Sequence, residues 1–386
     1  SGIGELDRVL GGGSALGGAV LVGGDPGIGK STLLLQALGG FARRGHTCLY
    51  ITGEESQSQV ASRARRIFPD VASKLSLQAT TDLDEIMDGV ESSQAQVVVV
   101  DSIQTMRSGE LESAAGSVGQ LRETASRLIE MTKRRGIVLF LIGHVTKDGT
   151  LAGPKVLEHL VDTVLTFEGD STHAYRLVRT VKNRFGPTHE VGVFEMARDG
   201  LREVSDPSEL FLRERPARSS GSVVAATAEG TRPLLVEVQA LVAPAVYGAA
   251  RRVATGLDGQ RLSILLAVLE RKADVHVLDR DVFASVAGGV HVDEPALDLA
   301  ILVAVVSSLR DRAVAPDLVV FGEVGLAGEV RAVPRPAVRL AEARKLGFKR
   351  VILPKAVVAR LEKGDADGLV LVGVATVAEA MAAAFE

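Results

Sequence analysis

A chain of 386 residues with 46% apolar and 24% charged side chains has room for two domains and the make-up of an ordinary globular protein. Its net charge of −4 excludes whole-protein attraction to a polyanion, so any nucleic-acid site must be a local basic patch. One cysteine, Cys48, excludes an intrachain disulfide framework, and 4% aromatic residues with no tryptophan do not advertise recognition of bases by extensive stacking.

In chain order, the first half alternates short apolar runs with helical periodicity, the pattern of a parallel α/β sheet. Strands are expected at 19–23, 48–53, 97–102, 137–143 and 161–167, with helices over 58–67 and 118–134. The run Val97-Val98-Val99-Val100 is continuously β-branched, as suits a central strand buried on both faces. Two further runs, 174–182 and 190–196, suit an antiparallel extension ending near Val204. Cys48 lies in the apolar run Cys48-Leu49-Tyr50-Ile51 and reads as a buried core thiol. No signal segment opens the sequence and no apolar stretch is long enough to span a bilayer, so a cytoplasmic enzyme without a membrane partner is the simplest expectation.

Between the strand at 19–23 and the helix-like Leu33-Leu34-Leu35 lies Gly24-Asp25-Pro26-Gly27-Ile28-Gly29-Lys30-Ser31-Thr32, which fits G-x-x-x-x-G-K-[ST]. Strand, glycine-rich loop and helix N-terminus in that order make an anion cradle. Backbone N–H groups without helical partners point at phosphate oxygens, and the helix dipole adds positive potential. Lys30 is expected to reach the β- and γ-phosphates of ATP, and Ser31 to ligate Mg²⁺. Hydrolysis also needs a carboxylate on the metal and a positioned water. Asp101, at the end of the strand at 97–102, suits the first task. Glu54 or Glu55, at the exit of the strand at 48–53, suits the second, with Glu54 preferred. His144, closing Leu141-Ile142-Gly143-His144, is either a sensor of the γ-phosphate or a structural strand-end histidine.

The lead-in Gly2-Ile3-Gly4-Glu5-Leu6-Asp7-Arg8-Val9-Leu10-Gly11-Gly12-Gly13 resembles the start of RecA-type ATPase cores. With Thr52-Gly53-Glu54-Glu55-Ser56 and Lys182-Asn183-Arg184-Phe185-Gly186, it resembles the RadA (Sms) family of bacterial DNA repair ATPases over essentially the whole chain. The resemblance implies ATP hydrolysis between subunits of a homo-hexameric ring that binds single-stranded DNA. It implies branch migration and strand extension of recombination intermediates alongside the RecA recombinase. Lys182 and Arg184 then become candidate cations for a neighbour's nucleotide and candidate DNA contacts. Channel loops are expected at 146–155, carrying Lys147 and Lys155, and at 106–119. A basic loop repeated around a ring neutralises successive phosphates although each protomer is acidic. The rival reading is a clock-type signalling ring that does not touch DNA. The family usually begins with a four-cysteine zinc finger. Here Ser1 stands at the ATPase lead-in, so the finger is either removed or lacking, and removal is the expectation.

Asp206-Pro207-Ser208 and the Arg-, Pro- and Ser-rich stretch 214–222 read as a boundary and linker. The expected organisation is an ATPase domain over 1–205, a linker over 206–222 and a second α/β domain over 223–386. Strands are expected there at 223–227, 234–242, 282–286, 318–321, 351–353 and 369–372, with helices over 262–271 and from Pro295. Gly322-Glu323-Val324-Gly325-Leu326-Ala327-Gly328-Glu329-Val330 and Val292-Asp293-Glu294-Pro295-Ala296 resemble the proteolytic domain of Lon proteases. Ala296 stands where that family carries its serine nucleophile, and Ala337 aligns with its lysine base. Without a hydroxyl no acyl-enzyme forms, so a proteolytically inactive Lon-like domain is expected, with an active ATP-driven protease as the rival. Arg331, Arg335 and Arg339 are among its basic clusters, which could touch duplex DNA.

Overall fold

The computed structural model describes residues 1–144, 156–169, 175–216, 218–245 and 250–386. The chain divides into two compact units, Ser1–Ser205 and Asp206–Glu386. The first runs α1 (Gly4–Val9), β1 (Ala19–Gly23), α2 (Lys30–Arg43), β2 (Cys48–Thr52), α3 (Gln57–Ile67), β3 (Leu75–Ala79), α4 (Leu83–Ser93), β4 (Val97–Asp101), α5 (Val118–Arg135), β5 (Val138–Ile142), α6 (Val156–Leu160) and β6 (Thr163–Glu168). It closes with β7 (Tyr175–Asn183), β8 (Val191–Ala197) and β9 (Gly200–Glu203).

The strands form one sheet in the order β3-β2-β4-β5-β1-β6-β7-β8-β9. Pairing is parallel from β3 to β6 and antiparallel from there to β9, as the apolar runs imply. Alternate residues serve opposite cores. Val20, Val22, Val97 and Val99 pack with Leu34 and Leu38 of α2, while Leu21, Val98 and Val100 pack with Leu121 and Leu128 of α5. Each such valine contributes about 1.5–3 kcal/mol, which is why β4 has no polar face. Side chains fix where the helices begin: Ser56 makes a capping box with Gln59, and Asp82 and Ser117 cap α4 and α5. Cys48 is fully buried, and burial pushes its thiol up to about 12. β3 and α4 arise where periodicity marks no element: β3 is a half-buried edge strand, and its alternation is weak.

The second unit runs α7 (Pro207–Leu212), β10 (Ser222–Glu229), β11 (Arg232–Pro244), β12 (Arg252–Thr255), α8 (Gly259–Lys272), β13 (Arg280–Val286), α9 (Asp298–Leu309), β14 (Leu318–Val320), β15 (Glu323–Val324) and β16 (Val330–Arg331). It ends with α10 (Pro336–Lys345), β17 (Arg350–Pro354), α11 (Lys355–Val358), β18 (Val370–Val374) and α12 (Val377–Phe385). Its main sheet has the order β12-β13-β11-β10-β14-β17-β18. α7 lies inside the segment read as a linker, with Asp206 as its cap and Pro207 in its first turn. Ser208 on it accepts from the Leu235 N–H at 3.1 Å and donates to Glu342 at 2.7 Å, which ties the helix to this unit. α9 is buried from Asp298 to Ser307, so it is apolar nearly all round.

A buried ion pair joins the layers of this unit. Arg339 is 1% exposed, lies over the Phe321 ring, and donates to both Glu294 carboxylate oxygens and to the Ala226 carbonyl. Glu294 also accepts from the Thr227 hydroxyl and the Ala228 N–H. Among the described residues, no helix is long and apolar enough to cross a membrane.

Glu294→Ala leaves that guanidinium buried without its partner and is expected to destabilise the second unit by about 3–5 kcal/mol in urea unfolding. Replacing both partners, Glu294→Leu with Arg339→Met, should restore most of the loss.

Candidate functional site

Parallel pairing of β1, β2, β4 and β5 sends the loops after all four strands out at one end of the sheet, and the chemistry collects there. After β1 the chain takes positive φ at Gly24 (+151°), Gly27 (+77°) and Gly29 (+119°). A Cβ on Gly24 would sit 2.7 Å from the Phe167 Cβ, and one on Gly29 would sit 3.1 Å from Met196 Cε. The loop can wrap this closely only because both are glycines. No side chain caps α2, so the N–H groups of its first turn are left to an anionic ligand. Asp25, Pro26, Ile28 and Thr32 complete the loop.

Lys30 is only 4% exposed, and its ammonium donates to the Gly24 carbonyl at 2.6 Å and the Asp25 carbonyl at 2.8 Å. Burial pulls its pKa below the ordinary lysine value, with Asp101, Asp25 and Glu54 opposing the shift. Asp101, ending β4, is 6% exposed. Burial pushes its carboxyl above the usual range, against the hydrogen bond from Tyr50. The donor set beside the loop is therefore a serine hydroxyl and a buried carboxylate. Hard oxygens of this kind, few in number, fit Mg²⁺, which keeps waters and phosphate oxygens in its shell. Among the described residues no cluster of three or more His, Cys, Asp or Glu side chains could hold a metal, so Ser31 and Asp101 are the groups that fit it.

The two glutamates after β2 part company. Glu54 accepts from the Ser102 hydroxyl and lies 3.1 Å from His144 Nε2. Burial raises its pKa, but bonds to Ser102 and His144 and the charge of Lys30 outweigh it, and the net shift is downward. Glu55 is paired with Arg63 of α3. A cleft of about 290 Å³ is lined by Pro26, Gly27, Gly29, Lys30, Ser31 and Thr32, with Glu54, Glu55, Arg63, Asp101 and His144 opposite. The predicted phosphate loop, metal pair, glutamates and histidine thus meet in one place.

Lys182 and Arg184 lie elsewhere. Lys182 donates to the Glu158 and Val161 carbonyls at 2.6 and 2.8 Å. Arg184 pairs with the buried Asp162 at 3.0 Å, and the other oxygen of Asp162 accepts from the N–H of Ala19, the first residue of β1. Both are therefore at the opposite end of β1 from the glycine loop. Phe185 between them and Gly186 is 52% exposed. Lys147, Lys155 and the rest of 146–155 lie outside the described residues. In the other expected channel loop, Met106 and Ser108 are buried, and the buried Gln120 side chain bonds Ser108, Leu111 and Ser113. That stretch carries Arg107 with Glu110 and Glu112, so it offers no cluster of cations.

Sequence reasoning missed Tyr50, Ser102, Arg63 and Arg176. Arg176 on β7 is buried and donates through Nε to the Ile28 carbonyl of the loop at 3.2 Å. Nothing in its local pattern signals this, because the contact spans 148 residues of chain. In the second unit, Ala296 is wholly buried among Val224, Leu235 and Phe321, and Ala337 lies on α10.

A family model described as an AAA domain matches residues 3–150, and one described as subunit ChlI of Mg-chelatase matches residues 267–357. The DNA repair protein RadA of Bacillus subtilis (strain 168) is 50% identical over 379 residues, covering 98% of this chain and 82% of that protein. The DNA repair protein RadA of Pseudomonas aeruginosa is 53% identical over 383 residues, covering 99% and 83%. That of Salmonella typhimurium is 50% identical over 381 residues, covering 99% and 82%.

Gly24→Ala forces a methyl group into Phe167 at a backbone angle that alanine resists. A loss of roughly 1–3 kcal/mol in the first unit's stability is expected, together with weaker binding of ATP. Thermal melts and titration with a fluorescent ATP analogue check the two effects.

Proposed function

The chain belongs to the RadA family of DNA repair proteins, and from that premise we propose that it is a DNA-dependent ATPase motor driving branch migration and strand extension of recombination intermediates. The observation that carries the reading is the convergence of Lys30, Ser31, Asp101 and Glu54 on one cleft at the carboxyl ends of the parallel strands. On binding ATP, the Lys30 ammonium exchanges the Gly24 and Asp25 carbonyls for β- and γ-phosphate oxygens. The N–H groups opening α2 hold the same phosphates. Ser31 and Asp101 would hold Mg²⁺, which would supply positive charge against the developing negative charge of the phosphates. Glu54, ionised and oriented by Ser102, positions the attacking water, while Arg63 keeps Glu55 out of that task. His144, on the same carboxylate oxygen, registers whether the γ-phosphate is present.

Within the proposal the working form is a cytoplasmic homo-hexameric ring acting with RecA on single-stranded DNA. Lys182 and Arg184 face a neighbouring protomer's nucleotide or the DNA, and Lys147 and Lys155 contact the strand in the channel. Their distance from the chain's own glycine loop favours service to another molecule. The second unit is proposed to be Lon-protease-like and proteolytically inactive. Burial of Ala296 supports this, since a substrate carbonyl could not approach that position.

Lys30→Ala should abolish ATP hydrolysis while leaving circular dichroism unchanged, and undiminished turnover would overturn the assignment of the cleft. Glu54→Gln should lower turnover by roughly 10²–10⁴-fold, with Glu55→Gln within a few-fold of the parent. For the DNA reading, labelled single strands should be retained on filters with a slow ATP analogue, and Lys182→Ala should impair strand extension. Absence of retention in every nucleotide state would favour a signalling ring instead.

A further inference from the structure

One of the two groups that fit Mg²⁺ is held by a side chain that the mechanism above does not use. Tyr50 on β2 is fully buried, and its hydroxyl donates to Asp101 Oδ2 at 2.5 Å. Ser31 and Asp101 line the same cleft. Strand register explains the meeting. Thr52 of β2 is level with Asp101 of β4, and Tyr50 is two residues back, so Tyr50 and Asp101 share the face covered by α2. Ser31 sits in the first turn of that helix.

Tyr50 belongs to one apolar core with Leu34, Leu38 and Val99. A phenylalanine would fill that core equally well, and a hydroxyl buried there without a partner would cost about 1–3 kcal/mol. The hydroxyl therefore makes sense through Asp101 alone. It has one proton to give, and by giving it to Oδ2 it fixes the plane of the carboxylate and leaves Oδ1 for a ligand. An orienting group one step behind the ligand is the usual way in which metal affinity is tuned.

We propose that Tyr50 is a positioning residue of the Mg²⁺ site, orienting the Asp101 carboxylate so that its free oxygen and the Ser31 hydroxyl converge on one cation. The proposal rests on reading the cleft as an Mg²⁺–nucleotide site, and it gives Tyr50 no contact with the nucleotide itself.

The test reads binding rather than turnover. Affinity for a fluorescent, slowly hydrolysed ATP analogue is measured in EDTA and across a Mg²⁺ titration for the parent, Tyr50→Phe, Asp101→Asn and the double variant. Tyr50→Phe removes one oxygen and keeps the ring, and circular dichroism melts confirm that each variant is folded. The expected result for Tyr50→Phe is unchanged affinity in EDTA and a Mg²⁺ midpoint raised roughly tenfold, the scale of one hydrogen bond to a charged group. Added to Asp101→Asn, it should shift the midpoint no further, because both changes act through one carboxylate. A midpoint equal to the parent's overturns the proposal. Equal losses with and without Mg²⁺ overturn it too, as does full additivity with Asp101→Asn. A parent protein that binds the analogue no better with Mg²⁺ than without removes the metal–nucleotide reading itself, and the role of Tyr50 falls with it.

Discussion

Two opposite charges, Lys30 and Asp101, are buried at the carboxyl ends of β1 and β4, and the first unit is arranged around keeping them there. Each charge has its own polar partners, the Gly24 and Asp25 carbonyls for Lys30 and the Tyr50 hydroxyl for Asp101, since an uncompensated buried ion is several kcal/mol unfavourable. The remedy is architectural. Parallel strands bring the two side chains to one end of the sheet, helices on both faces exclude water, and α2 directs its N-terminus at the same point. Burial then works in both directions. It weakens the hold of each group on its own charge, and it leaves the pair ready for an anion with its own cation.

Much of this was legible from local sequence, because a phosphate cradle is built by consecutive residues. The glycines at 24, 27 and 29, Lys30 and Ser31 need no distant contact to be recognised. The β-branched run ending in Asp101 is equally local. The difference between Glu54 and Glu55 is not local, since Arg63, nearly two turns into α3, pairs with Glu55, and Ser102, just past β4, bonds Glu54. Tyr50 escaped notice because it satisfies the apolar pattern of β2 perfectly well as a core residue. Arg176 escaped because its role depends on which strand runs beside the loop. The Asp-Pro-Ser sequence at 206–208 signals a boundary and a helix start with the same residues, so α7 was hidden behind the other meaning.

The second unit uses buried charge differently. Arg339 spends four of its five N–H donors on Glu294 and backbone carbonyls, and Glu294 is further bonded by Thr227 and the Ala228 N–H. Arg261 and Asp298 repeat the device at the start of α9, with the Val324 N–H and carbonyl completing both partners. Such closed networks hold layers in register. In the first unit the charged groups keep unspent hydrogen-bonding capacity, and that difference separates a site from a scaffold.

Asp162 has one oxygen on the backbone of Ala19 and the other on Arg184. It thereby anchors the Lys182–Gly186 turn to the tail of the strand whose head is the glycine loop. Five residues of β-strand span roughly 16 Å. The lysine of the loop and the arginine of the turn are fastened to opposite tips of one short, stiff rod, and no bending of a single molecule brings them to a common phosphate. Any event requiring both must be bimolecular, with the rods laid tip to tail.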